Sequence, residues 1–195
     1  MESVDLLDRT RVRLTQSQAL AELRDDILRV AYLPPGRWEA SEDATSGYFD
    51  KYAFQTRPAI LRRLGRFLAE LVPRETDRVA APALGAVALG AAVALEIGLP
   101  LVIVKTDAEL QTQRPLEGEI YPGEIITLIE DVVITGTRAL GAAKLLRATG
   151  AEVREIIAVL DRSGGAPEKL RGEPFPYRAL ISSSELGLAP PRAGQ

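Results

Sequence analysis

The 195-residue chain contains no cysteine and no histidine. The first absence excludes a disulfide framework and thiol catalysis, and the two together exclude a Cys/His zinc site. Without histidine there is no imidazole general base. Positive charge is also in deficit: 24 Lys and Arg stand against 27 Asp and Glu, a net charge of −3. A general polyanion-binding surface is therefore not expected, and no nucleic-acid partner. An uninterrupted apolar span is missing as well. Residues 79–104 have the length of a membrane span, but Pro82, Glu96 and Pro100 interrupt them, so they read as loop, buried helix and strand. The N-terminus "MESVDLLDRTRVR" is charged and lacks the apolar core of a signal peptide. A soluble, cytoplasmic protein without a membrane partner is expected. Any catalysis falls to carboxylates, Lys, Arg, Tyr, hydroxyls and backbone amides, with magnesium held through oxygen as the natural metal.

What is present suffices for one domain with a real core, since 46% of residues are hydrophobic. Apolar spacing predicts an amphipathic helix over 16–31, stopped by "YLPPGRW". "GYFDKYA" predicts a short aromatic strand, and residues 58–71 a helix that opens on proline. Strands and helices then alternate. "DRVAA", "LPLVIV", "EIITLIE", "AEVREIIAVL" and "YRALIS" read as strands. "LGAVALGAAVALEIG" and "TRALGAAKLLRATG" read as helices, with a short one at "APEKLR". This alternation predicts an α/β fold, a doubly wound and mostly parallel sheet with helices on both faces. Residues 1–195 form a single domain in this reading: an N-terminal helix and hood over 1–53, an α/β core over 54–188, and a tail over 189–195.

In such sheets ligands bind beyond the carboxyl ends of the strands, at a switch point. The segment "LIEDVVITGTRAL", residues 128–140, suits that place. Glu130 and Asp131 follow an apolar run, where adjacent like charges are costly unless sugar hydroxyls or hydrated magnesium compensate them. Thr135, Gly136 and Thr137 then offer hydroxyls and amides at a helix start, an anion site. The same Thr-Gly-Thr suits a plain strand exit with threonine as cap, and the preceding acid pair favours the ligand site. Neither a Walker lysine pattern nor spaced dinucleotide glycines occur.

This segment resembles the phosphoribosyl-diphosphate motif of type I phosphoribosyltransferases. "GYFDKYAF", "APALGAVALG", "LEGEIYPGE", "LDRSGGAPEKL" and "YRALISSSEL" are similar, in order, to elements of the orotate phosphoribosyltransferase branch. The resemblance covers roughly residues 15–188. It implies the type I phosphoribosyltransferase fold with a small N-terminal hood. It also implies transfer of ribose 5-phosphate from 5-phosphoribosyl 1-diphosphate to a nucleobase, orotate first, with Mg2+ carried on the diphosphate, in a homodimer. By that resemblance Glu130 and Asp131 bind the ribose hydroxyls, while Thr135, Gly136 and Thr137 cradle the 5-phosphate. Ala83, Leu84 and Gly85 line the diphosphate. Lys105 is the basic residue after its strand, and Arg162 and Phe49 face the base. Plainer roles stand beside these: Lys105 as a solvated strand end, Arg162 as a turn residue paired with Asp161, and Phe49 as core.

The departures from the family pattern concern charge. The family loop after this strand carries Arg, two Lys and His, whereas this chain reads "KTDAELQTQ", with Thr106, Glu109 and Gln111 in place of the Lys, Lys and His. Ile134 and Arg138 stand where Thr and Ser are common, and "WEASEDATSG" lacks a base-site lysine. A glutamate beside a diphosphate leaving group has the wrong sign for stabilisation, so slow turnover with orotate is expected. Two alternatives follow: a catalytically weak, ligand-binding regulator, or a transferase with a different base acceptor.

Overall fold

The computed structural model describes residues 15–34, 48–105, 114–165 and 167–188. The altered stretch 38–46, the loop residues Thr106, Glu109 and Gln111, and the tail 189–195 lie outside the described residues. Helix α1, Gln16–Ala31, starts at a capping box between Thr15 and Gln18 and buries Leu23, Ile27 and Ala31. Strands β1, Tyr32–Leu33, and β2, Tyr48–Phe49, pair antiparallel behind it. The aromatic strand expected here is only two residues long. Asp50 ends it, because its carboxylate accepts from the amides of Tyr52 and Ala53 at 2.9 and 3.2 Å. That cap starts a five-residue helix, α2, Lys51–Gln55. Helix α3, Pro58–Ala69, follows with proline in its first turn.

The core alternates as expected. Strand β3 is Arg78–Pro82, and α4, Val87–Ile97, closes at Gly98 in the left-handed region (φ 72°). Strand β4 is Leu101–Val104, and β5, Leu116–Glu117, is a short strand at the start of "LEGEIYPGE" that apolar spacing does not predict. Strand β6 is Ile125–Val133, α5 is Thr137–Ala148 and β7 is Glu152–Asp161. A 3₁₀ turn at Glu168–Leu170 takes the place of the expected short helix, before β8, Tyr177–Ser182, and a last 3₁₀ turn at Ser184–Leu186.

The main sheet runs β5-β4-β3-β6-β7-β8, all parallel except β5. Alternation along β6 sorts its side chains between two cores. Ile129 joins Leu64, Leu68, Leu89 and Val93 of α3 and α4, with Leu23 and Ile27 of α1. Ile126 and Leu128 join Ala139, Ala142 and Leu146 of α5. Helices therefore cover both faces, as the alternation of elements predicts. From β3 the chain crosses to β4 on one side, while β6 returns on the other, so the switch point lies between the carboxyl ends of β3 and β6. Among the described residues no helix is long and apolar enough to cross a membrane.

Candidate active site

Glu130 and Asp131 lie inside β6 rather than at its end, because pairing with β7 continues through Val132 and Val133. They are 2% and 0% exposed. Adjacent strand residues project to opposite faces, so each acid meets a different neighbour. Asp131 Oδ2 pairs with Lys51 Nζ of α2 at 3.0 Å, while its Oδ1 accepts from the Val132 amide at 2.7 Å. Glu130 accepts from the Asp131 amide at 3.2 Å. Burial pushes the Glu130 carboxyl up to about 8, with the Asp131 charge adding to the rise. Arg138, the Asp131 amide and Lys51 oppose it, in that order.

Two loops flank the acids. After β3, Ala83–Leu84 is a cis peptide bond, and Leu84 is 67% exposed. Gly85 is buried against the acid: a Cβ there would lie 2.1 Å from Asp131 Oδ2 and 2.9 Å from Lys51 Nζ. Only glycine fits so close an approach. After β6, Gly136 caps α5 with φ 85°, and a Cβ there would meet Leu170 Cγ at 2.9 Å. Thr135 and Thr137 are exposed, with their hydroxyls 3.0 Å apart; the Thr135 hydroxyl accepts weakly from the Thr137 amide at 3.4 Å, and the N-cap Gly136 has no side chain to cap the amides that follow. Helix-start amides beside two hydroxyls form a place for an anion. The two glycine-bearing loops and the acid pair thus converge at the switch point.

The hood adds the third wall. Arg162, just past β7, holds its amide to Val133 O at 2.8 Å and stacks its guanidinium 5.8 Å from the Phe49 ring centroid. Burial pulls the Arg162 guanidinium down, partly offset by Tyr32. Phe49 is buried and also packs on Phe54, so it serves the core on one side and Arg162 on the other. Arg162 is not the turn residue paired with Asp161 that was the plainer reading, since Asp161 accepts from the Ser163 amide instead. Phe49, on Arg162, and Lys51, on Asp131, are two residues apart, so one short segment reaches both groups. Lys105 lies just past β4. Its Nζ pairs with Glu117 at 2.5 Å and its amide donates to Pro115 O at 2.8 Å, closing the base of the 106–113 segment.

The sequence reading missed Lys51 and left Arg138 without a role. Lys51 carries no local signal, because its partner is 80 residues away. Arg138 sits in the first turn of α5, where a cation opposes the helix dipole. That placement, with Glu130 nearby, was the readable signal. Among the described residues no group of three or more His, Cys, Asp or Glu is arranged to hold a metal ion.

The chain matches the phosphoribosyl transferase domain family over residues 52–173. It is 38% identical to the orotate phosphoribosyltransferase of Natronomonas pharaonis over 167 residues, 85% of this chain and 95% of that one. It is 41% identical to that of Pyrococcus furiosus over 146 residues, 73% and 80% of the two chains. Its fold is similar to Mycobacterium tuberculosis H37Rv orotate phosphoribosyltransferase in complex with 5-phospho-alpha-D-ribosyl 1-diphosphate. That likeness has a TM-score of 0.73 and 25% identity, and covers 87% of this chain and 99% of that one. The converging loops and acids are therefore those of a known architecture: the chain belongs to the phosphoribosyl transferase domain family.

Proposed function

We infer that the protein is an orotate phosphoribosyltransferase, which moves ribose 5-phosphate from 5-phosphoribosyl 1-diphosphate to a ring nitrogen of orotate. The observation that carries this is the buried acid pair set between two glycine-bearing loops at the switch point. Glu130 and Asp131 suit the two ribose hydroxyls. Thr135, Gly136 and Thr137 suit the 5-phosphate, and the backbone of Ala83, Leu84 and Gly85 suits the diphosphate. Arg162 supplies a cation for the orotate carboxylate, and Phe49 fixes that guanidinium from behind.

In the reaction the C1–O bond breaks with its electron pair leaving on the diphosphate. A C1–N bond forms, and the nitrogen's proton is released. An oxocarbenium-like centre passes between the two, so the chain's residues position and neutralise without forming a covalent bond. Mg2+ would be carried on the diphosphate rather than by protein ligands, and when bound would screen the leaving charge. The family resemblance read from the sequence implies a homodimer, which belongs to this proposal.

Turnover assays with 5-phosphoribosyl 1-diphosphate and Mg2+ test this reading. Diphosphate release is expected with orotate and absent with uracil, adenine or hypoxanthine. Release with one of the others and not with orotate would move the acceptor, and release with none would leave a binder.

A further inference from the structure

The diphosphate loop is approached by a cation from each face of the sheet. From α2, Lys51 Nζ stands 2.9 Å from where a Gly85 Cβ would be, and 3.0 Å from Asp131. From α5, Arg138 Nη2 donates to Ala83 O at 3.4 Å, and its Nε is buried without a hydrogen-bond partner. The two groups bracket residues 83–85, although they come from elements on opposite faces. Residues 106–113, "TDAELQTQ", contain Asp107 and Glu109 but no lysine or arginine. The charge a leaving diphosphate requires is thus absent from that segment and present beneath the loop.

We propose that Lys51 and Arg138 are the cations that take up the charge of the departing diphosphate in this chain. The proposal rests on the phosphoribosyl-diphosphate reading above. When the C1–O bond breaks, the diphosphate gains one negative charge, and two fixed cations beside its backbone cradle answer that gain. Such charges accelerate the step because they act more strongly on the product-like transition state than on bound substrate. In the ligand-free protein the same two groups offset Asp131 and Glu130, which keeps both cations in place before substrate arrives. Arg138 in a first helical turn is costly as pure structure, and an anion bound against it reverses that cost.

Calorimetric titration separates the two ends of the substrate. Inorganic pyrophosphate with Mg2+ and ribose 5-phosphate are titrated separately into wild type, Lys51→Met and Arg138→Met, alongside steady-state kinetics. Each variant should bind pyrophosphate roughly tenfold more weakly, about 1.4 kcal/mol, and hold ribose 5-phosphate within about threefold. kcat should fall more than KM for 5-phosphoribosyl 1-diphosphate rises. Lys51→Arg and Arg138→Lys keep the charge and should restore most of the pyrophosphate affinity, which covers the case of a methionine variant that does not fold. Unchanged pyrophosphate affinity in both methionine variants would overturn the proposal. So would an equal loss for ribose 5-phosphate, since the cations would then serve only the acids. If wild type rejects orotate while both methionine variants still lose pyrophosphate affinity, this proposal is supported and only the acceptor is removed.

Discussion

At the residue scale Glu130 makes the sharpest demand. Its carboxyl is raised from 4.5 to about 8 by burial and by Asp131. The folded state therefore binds the proton more tightly than the unfolded chain does. The stabilisation is fully present below about pH 4.5 and is lost as pH rises through about 8. Urea midpoints of the ligand-free protein should fall across that window by on the order of a few kcal/mol from this group. Glu130→Gln should remove that slope, and an unaltered slope in the variant would show that another group titrates. Asp131 behaves differently. A like-charge pair taken alone predicts that Asp131→Asn relieves repulsion at no cost to the fold. The structure adds the Lys51 ion pair at 3.0 Å, whose lysine side chain is partly exposed and can turn to water. The variant should fold and should bind ribose 5-phosphate about 1–3 kcal/mol more weakly, the scale for hydrogen bonds to charged groups. Equal affinity by calorimetry would take Asp131 out of the sugar site.

At the element scale the decisive piece is the loop between β3 and α4. A Cβ on Gly85 would sit 2.1 Å from Asp131 Oδ2, so Gly85→Ala must move either the loop or the acid. We expect a loss of about 1–3 kcal/mol in thermal or urea stability, as for other overpacked sites. Pyrophosphate binding should weaken with it, and an alanine variant with wild-type binding would refute the close approach. This element was only partly legible. Long periodic segments such as α1, α5 and β7 could be read because their faces repeat many times over. Elements fixed by one contact could not. α2 exists because Asp50 caps it within an aromatic stretch that reads as strand, and β5 exists because two residues meet β4. The acid pair was legible because charge inside an apolar strand is conspicuous. Lys51 was not, since a lysine beside a tyrosine is ordinary until the fold brings Asp131 to it. Lys105 was legible from its place after an apolar strand, but its ion pair with Glu117 was not, since it needs the β4–β5 pairing to form.

At the scale of the whole molecule, assembly and rate remain to be measured. A homodimer is expected by light scattering across micromolar concentrations, and a monomer there would remove any model in which one subunit's loop serves its neighbour. Converting Glu109→Lys together with Gln111→His should raise kcat with orotate, by up to roughly 2–4 kcal/mol of barrier, the scale of one lost oxyanion donor. No gain would mean that charge beneath the diphosphate already suffices. The β4–β5 pair sets how freely that segment can change. Val104 pairs with Leu116, and the Lys105 amide donates to Pro115 O at 2.8 Å. The chain therefore leaves the sheet at Lys105 and rejoins it at Leu116 through a single clasp, with eight residues of sequence, 106–113, between. Doubling the length of such a connection costs only about 0.6 kcal/mol in closure entropy. Substitutions inside it are thus answerable to chemistry and hardly to folding, so a lineage can discard cations there without losing the protein. The same clasp is a ready socket for a grafted recognition peptide.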